Sequence, residues 1–238
     1  MPIWIENLKW VLETENAEIA YVLLTHWHGD HTGGVPQLLE RYPRLQTAIY
    51  KNKPDKGQQV LLDGQAFSVD GATLRALFTP GHSTDHMCFI LEEENALFTG
   101  DNILGHGFAV VEDLSMFMAS LEKTRAQSCV KGYPAHGVII DNLPTKILLC
   151  LGRHHRRERQ VIGALRAEKV RTGKGSLTIK ELVRNLYGGV SDEISANALE
   201  PSLNETLQKL AEDGTVGFEL ERVPWNPMPC RRWFVVTH

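Results

Sequence analysis

The sequence predicts an α/β fold: a domain of short strands and flanking helices over residues 1–170, then a smaller, mainly helical module over residues 171–238. Three observations carry this. Short apolar runs recur up to about residue 100, separated by turn signals such as Asp63-Gly64, Asp70-Gly71 and Glu93-Glu94-Asn95. Longer stretches at helical spacing follow. Thr172-Gly173-Lys174-Gly175-Ser176 then breaks the pattern with a linker composition.

The elements follow in chain order. Pro2 to Leu12 has apolar residues near helical spacing and predicts a helix, and Ala20-Tyr21-Val22-Leu23-Leu24 predicts a strand. Gly33-Gly34 leads into a helix opened by Val35-Pro36-Gln37-Leu38-Leu39. Strands are expected at 46–50, 58–62, 66–70, 72–78, 87–92 and 95–99. A helix at 113–126 places Leu114, Phe117, Met118 and Leu121 on one face, a stripe that reads as core. A long helix is expected from Pro144 to Glu168. The final module reads as winged-helix: Leu177 to Val183 opens one helix, Glu200 to Asp213 forms another, and Thr215 to Leu220 pairs with Trp233 to Val236. Its second helix carries Glu200, Glu205, Glu212 and Asp213 against Lys209, so phosphate is repelled there. A module that packs beside an active site or mediates homodimer contacts is favoured over one that reads nucleic acid.

Composition sets bounds. With 238 residues, 42% hydrophobic and 23% charged, the chain can bury a substantial core. A net charge of −4 gives no reason to expect nucleic acid as the main partner. Cys88, Cys129, Cys150 and Cys230 have no paired spacing and read as reduced core residues. No apolar run approaches the ~20 residues of a membrane span, so a cytoplasmic location is expected.

The chemistry concentrates in Thr25-His26-Trp27-His28-Gly29-Asp30-His31. In a loop leaving a strand, His26 and His28 sit one pleat apart and can serve one divalent ion, while Asp30 and His31 turn toward a neighbouring position. The spacing therefore reads as two adjacent metals, with Gly29 relieving the crowding at a sharp bend. Three later strand ends display further donors: His82 after Thr79-Pro80-Gly81, Asp101 after Thr99-Gly100, and His136 after Pro134-Ala135.

In this order and at these separations, the motifs resemble the metallo-β-lactamase superfamily. The resemblance implies an αββα sandwich in which His26, His28 and His82 hold the first metal, Asp30, His31 and His136 the second, and Asp101 bridges them. The pair is expected to be zinc, with manganese or iron as alternatives. Gly81-His82-Ser83-Thr84-Asp85-His86-Met87, Thr99 to Gly107 and Arg156-Arg157-Glu158-Arg159-Gln160 resemble the branch typified by β-lactamase-like protein 2, and within it fungal thioesterases that release polyketides from an acyl carrier protein. Members of the superfamily carry several strands ahead of the His-rich motif, whereas only 25 residues precede His26 here. A sandwich short of its edge, with an apolar face partly bare, is the expectation.

The implied function is a dimetal hydrolase that frees an aromatic polyketide from the acyl carrier protein of a non-reducing polyketide synthase by a metal-bridged hydroxide. Asp30 then serves as the catalytic proton carrier. The same branch contains single-strand-specific endoribonucleases, and a catalytically silent relative acting as a binding partner is a third possibility. His86 and His106 lie near ligands and read equally as supporting or plain structural residues. Arg153, Arg156 and Arg157 share a helix face that suits a phosphopantetheine phosphate, an acidic carrier surface or an RNA backbone, or simply solvent.

Overall fold

The computed structural model describes residues 3–173, 175–222 and 229–236. Two compact units emerge, one from the described residues of Met1–Glu112 and Met116–Ile147, the other from those of Asp113–Ser115 and Leu148–His238.

The first unit is built on two sheets. β1 (Val22–Leu24), β2 (Ile49–Lys51) and β3 (Gln59–Val60) pair in parallel, in that order. Parallel neighbours need a crossover, supplied between β1 and β2 by the short helix α2 (Gly29–Thr32), α3 (Val35–Arg41) and a 3-10 turn at Pro43–Thr47. The second sheet runs β4 (Ala66–Val69), β5 (Ala72–Phe78), β6 (Met87–Leu91), β7 (Ala96–Gly100) and β8 (Lys131–Pro134) in sequential order. Its pairs are antiparallel except β7–β8, which helix α4 (Leu114–Ala126) separates in sequence.

Period-two alternation decides which way each side chain faces. Leu74, Ala76 and Phe78 of β5 join Phe67, Met87 and Phe89 in a cluster with Leu23 and Tyr50 of the first sheet. The opposite face of β5–β7 buries Leu77, Cys88, Ile90 and Leu97. Outside the first sheet, α1 (Ile3–Thr14) and α3 contribute Ile5, Leu8 and Leu38 to a cluster with Val22 and Leu45. Beside the second sheet, Ser120 of α4 donates to the Pro80 carbonyl (2.7 Å) and Lys123 to the Phe78 carbonyl (2.9 Å). The layers are therefore α, β, β, α. The stripe Leu114, Phe117, Met118 and Leu121 is buried as the pattern predicts. β1 ends its sheet, and beside it a cavity of about 890 Å3 opens onto Leu23, Phe67, Val69, Leu74, Phe89 and Phe98.

Two boundaries differ from the pattern. The strand expected at 46–50 is β2 at 49–51, because Pro43 starts a 3-10 turn that tucks Leu45 into the outer cluster. Lys51 lies just beyond the expected strand, and its ammonium is buried against Asp85 (3.1 Å) and donates to the Lys53 carbonyl (2.8 Å). Of the span 58–62, only Gln59–Val60 pairs as a strand, at the sheet edge.

In the second unit, α5 (Leu143–Thr172) brings Val161 and Leu165 to a core with Leu182, Leu203, Leu207 and Trp233. The helix ends at Gly173, whose φ of +74° a side chain would resist and whose N–H bonds the Lys169 carbonyl (3.0 Å). A three-stranded antiparallel sheet orders β10 (Val216–Glu221), β11 (Cys230–Val235) and β9 (Ser176–Leu177). Helix α6 (Ile179–Tyr187) opens two residues later than the apolar pattern predicts. Thr178 and Glu181 form a reciprocal capping box that fixes its start, leaving Leu177 to pair with Trp233. The one-turn helix α7 (Asp192–Ile194) and a π turn (Ser195–Leu199) precede α8 (Glu200–Glu212). β11 begins at Cys230, three residues before the predicted Trp233. Cys88, Cys129 and Cys150 are buried thiols and Cys230 is half-buried, with no disulfide among the described residues.

Leu97 lies fully buried in β7, whereas Leu62 is exposed. Leu97→Ala is expected to cost about 2–5 kcal/mol and Leu62→Ala within about 0.5 kcal/mol in chemical denaturation. Equal losses would contradict this placement of the core.

Candidate metal centre

Four strand ends converge on one cluster of donors in the first unit. His26 and His28 follow β1 through Thr25, His82 follows β5, Asp101 follows β7, and His136 follows β8. The run after His28 is helical where a loop was expected. His28 caps α2 in extended backbone, and the first turn of that helix carries Asp30 and His31. Gly29 accordingly does not relieve a bend: it starts the helix, with nothing within 4 Å of where a Cβ would stand.

Two donor groups result. His26, His28, His82 and Asp101 present one ligand atom each within 4.8 Å of one another, and so do Asp30, His31, Asp101 and His136. All seven residues predicted as ligands are in these groups, and Asp101 belongs to both. In the first, His26 Nε2 lies 2.8 Å from His28 Nδ1, while His82 Nε2 lies 3.2 Å from His26 Nε2 and 3.1 Å from His28 Nδ1. In the second, Asp30 Oδ2 is 3.2 Å from His136 Nε2 and 3.5 Å from His31 Nε2, and Asp101 Oδ2 is 3.4 Å from His31 Nε2.

These contacts fit divalent cations better than hydrogen bonds. His82 Nδ1 faces the Val110 carbonyl at 2.7 Å, and since a carbonyl only accepts, Nδ1 carries the hydrogen and Nε2 a lone pair. That lone pair is aimed at two other imidazole nitrogens. His31 Nε2 and Asp101 Oδ1 are buried and lack a hydrogen-bond partner among the described residues. Behind them, the Thr25 hydroxyl meets His26 Nδ1 (2.9 Å) and His31 Nδ1 (3.2 Å), and can accept from both. Such outer partners turn the ligating nitrogens inward. Thr25 and the Val110 carbonyl are not marked as partners by the sequence pattern. Thr25 is signalled only by its place directly before His26, whereas the carbonyl of an exposed loop residue leaves no signal.

Electrostatics keep the donors ready to bind. Burial, and after it the neighbouring His31, lowers His26 to about 3, and burial also lowers His82, so both are neutral lone-pair donors at pH 7. Burial pushes Asp101 up, but the nearby imidazoles, His31 first and then His136 and His82, outweigh it and hold Asp101 at about 2. His31 moves up for the reciprocal reason, Asp101 overcoming the lowering that burial alone imposes.

His86 is fully buried behind the site and in neither donor group, whereas His106 is exposed in the loop after Asp101. Around the mouth stand exposed apolar side chains. Trp27 packs edge-on to His28 (ring centroids 4.5 Å apart), and Phe108 and Val110 lie on the loop that reaches His82. Val138 and Ile139 lie on the loop after His136, with Gly105 against the Val138 backbone. On α5, Arg156 and Arg159 are exposed, while Arg153 and Arg157 are half-buried and Arg157 meets the Ser202 hydroxyl.

A family profile described as the metallo-beta-lactamase superfamily matches residues 4–167. An atrochrysone carboxyl ACP thioesterase of Aspergillus chevalieri is 52% identical over 237 residues, 99% of this chain and 75% of that protein. A lactamase-like protein of Aspergillus niger is 54% identical over 240 residues, 98% of this chain and 74% of that protein. Among solved structures, a beta-lactamase domain protein from Burkholderia ambifaria superimposes with a TM-score of 0.73 at 18% identity, covering 93% of this chain and 75% of that one. A metallo-beta-lactamase family protein from Thermus thermophilus gives 0.58 at 22%, covering 91% and 72%. Likeness at these identities is a likeness of fold.

The shifts in the donor cluster set a pH dependence for chelator-stripped protein. A lowered His26 means that the unfolded chain takes a proton near pH 6.5 that the folded chain refuses until about 3, so its stability is present above 6.5 and lost as pH falls through that window. His82 and His86 are lowered and act in the same direction, while the raised His31 opposes them. The large lowering of His26 and of fully buried His86 sets the balance. The melting temperature of stripped protein is expected to fall from pH 7 to pH 5, and to fall less in His26→Asn. A flat profile would contradict the placement of these rings.

Proposed function

That the chain belongs to the metallo-β-lactamase superfamily is the premise from which we propose its function: a dimetal hydrolase that cleaves the thioester between an aromatic polyketide and an acyl carrier protein. The observation that carries this reading is the pair of donor groups sharing Asp101. We assign His26, His28 and His82 to one ion, Asp30, His31 and His136 to the other, and Asp101 to both. Zinc suits this imidazole-rich set, with manganese or iron as the alternatives.

Two divalent ions bound there supply a nucleophile derived from water at neutral pH and polarise the substrate carbonyl. The residues do the rest. His82 is locked in its lone-pair tautomer by the Val110 carbonyl, and His26 stays neutral through burial. Asp30, exposed at the mouth beside His136, carries a proton to the sulfur as the acyl C–S bond breaks and the C–O bond forms, so that the products are a carboxylic acid and the carrier's thiol. Trp27, Phe108, Val110, Val138 and Ile139 offer an apolar rim to the acyl group. Exposed Arg156 and Arg159 suit an acidic carrier protein, to which the relative named as an ACP thioesterase is the pointer.

Among the described residues no helix is long and apolar enough to cross a membrane. A cytoplasmic location, a homodimer and a winged-helix domain beginning near residue 171 belong to the same proposal.

Metal analysis of protein purified without chelators is expected to give about two ions per chain. That preparation is expected to hydrolyse an acyl thioester on a carrier protein and to leave single-stranded RNA intact. Cleavage of RNA with no thioester turnover would overturn the assignment. Asp30→Asn is expected to lower kcat by roughly 100-fold or more with a smaller change in KM. A variant that kept both ions and full turnover would remove Asp30 from its role.

A further inference from the structure

Behind the donor cluster lies a chain of buried polar groups that the proposed chemistry does not use. Thr79, His86, Cys88 and Thr99 are each fully buried, and none of them belongs to either donor group. Their hydrogen bonds have a determined direction. The Asp101 main-chain N–H donates to His86 Nε2 at 3.0 Å, so that nitrogen holds a lone pair and the ring hydrogen sits on Nδ1. Nδ1–H then donates to Thr79 Oγ1 (2.9 Å), the threonine hydroxyl donates to Cys88 Sγ (3.3 Å), and the thiol faces the Thr99 carbonyl (3.4 Å). The Thr79 N–H returns to the His86 carbonyl (3.0 Å), which ties the two residues together twice.

The backbone is shaped around this contact. Gly100 has φ +50°, and a Cβ there would stand 2.6 Å from His86 Nε2 and 3.3 Å from Thr25 Cγ2. A side chain at residue 100 would push the imidazole off the amide it receives. Glycine therefore does two things at this position: it accepts the left-handed turn, and it lets a ring reach the main chain of the next residue.

We infer that His86 is the positioning residue for Asp101, holding the main chain of the one side chain shared by both donor groups through a neutral imidazole whose tautomer Thr79 fixes. The inference rests on the dimetal reading for its consequence, since displacing Asp101 disturbs both groups at once. The contact itself is independent of that reading. Partners that orient ligating residues typically carry 10–100-fold of metal affinity, and His86 acts at the backbone, where ordinary outer partners act at the ligating side chain.

The experiment compares His86→Gln with His86→Phe. Glutamine can place Oε1 where Nε2 stands and accept from Asp101; phenylalanine fills similar space and accepts nothing. Binding of Zn2+ and Co2+ to chelator-stripped full-length protein is read by titration, with the visible spectrum of the cobalt form reporting the ligand field. His86→Gln is expected to stay within about threefold of the parent, and His86→Phe to lose 10–100-fold with an altered cobalt spectrum. Equal losses in both would reduce His86 to packing and overturn the inference, as would an unaltered His86→Phe. Should His86→Phe fail to fold, the parent decides: 15N-detected imidazole spectra of the stripped protein are expected to show the hydrogen on His86 Nδ1, and a hydrogen on Nε2 would overturn the inference. A parent that binds fewer than two ions would sink the dimetal function while leaving the tautomer result to judge the contact on its own.

Discussion

Lone pairs directed at lone pairs are the constraint on which this structure turns. Three imidazole nitrogens of His26, His28 and His82 lie 2.8–3.2 Å apart, and the His82 nitrogen bears no hydrogen. Such a cluster gains little from its own assembly, and desolvation opposes any charge on it. The surrounding fold must hold it by force of packing. It does so by taking the donors from strand ends, where the backbone is fixed by ladder hydrogen bonds, and by supporting their rear atoms with Thr25 and the Val110 carbonyl.

Much of this is written locally in the chain. The strand-to-loop transitions at His82, Asp101 and His136 are legible because an apolar run, a turn residue and a metal-competent side chain follow one another directly. The alternating faces of β5 and β6 are equally plain, since the pleat has a period of two. Features that depend on distant partners are not. Lys51 falls outside the strand expected at 46–50 because a lysine is a poor core residue, and Asp85, brought in from the turn before β6, together with the Lys53 carbonyl makes its burial tolerable. The buried role of His86 is hidden for the same reason. Its partners, Thr79 and the Asp101 amide, are separated from it along the chain in opposite directions. Leu177 misleads in a third way: its apolar side chain suits a helix or a strand, and the polar pair Thr178 and Glu181 makes the decision.

The second unit shows how composition can be legible while role is not. Its core of Leu182, Leu203, Leu207 and Trp233 follows from amphipathic spacing. Two of its cations are engaged with neighbouring carboxylates. Arg232 reaches both Glu181 and Glu221, and Lys209 reaches Glu158 and Asp213. A cation already committed to neighbouring carboxylates has little field left for phosphate, which agrees with the acidic character of α8.

The pair formed by Lys51 and Asp85 has one more implication. Lys51 ends a strand of the first sheet, and Asp85, steadied by the Ser83 hydroxyl at 2.9 Å, precedes a strand of the second. Sliding one sheet past the other would pull opposite charges apart where no water can solvate them, and the energy of that separation rises steeply as the dielectric falls. Shear, the softest collective motion of two stacked sheets, is thereby stiffened at the end that bears the donors. Adjustment at the rim then falls to exposed side chains, Trp27 and the loops at residues 105–110 and 137–139, whose sequence can change while the spacing of the donors stays fixed.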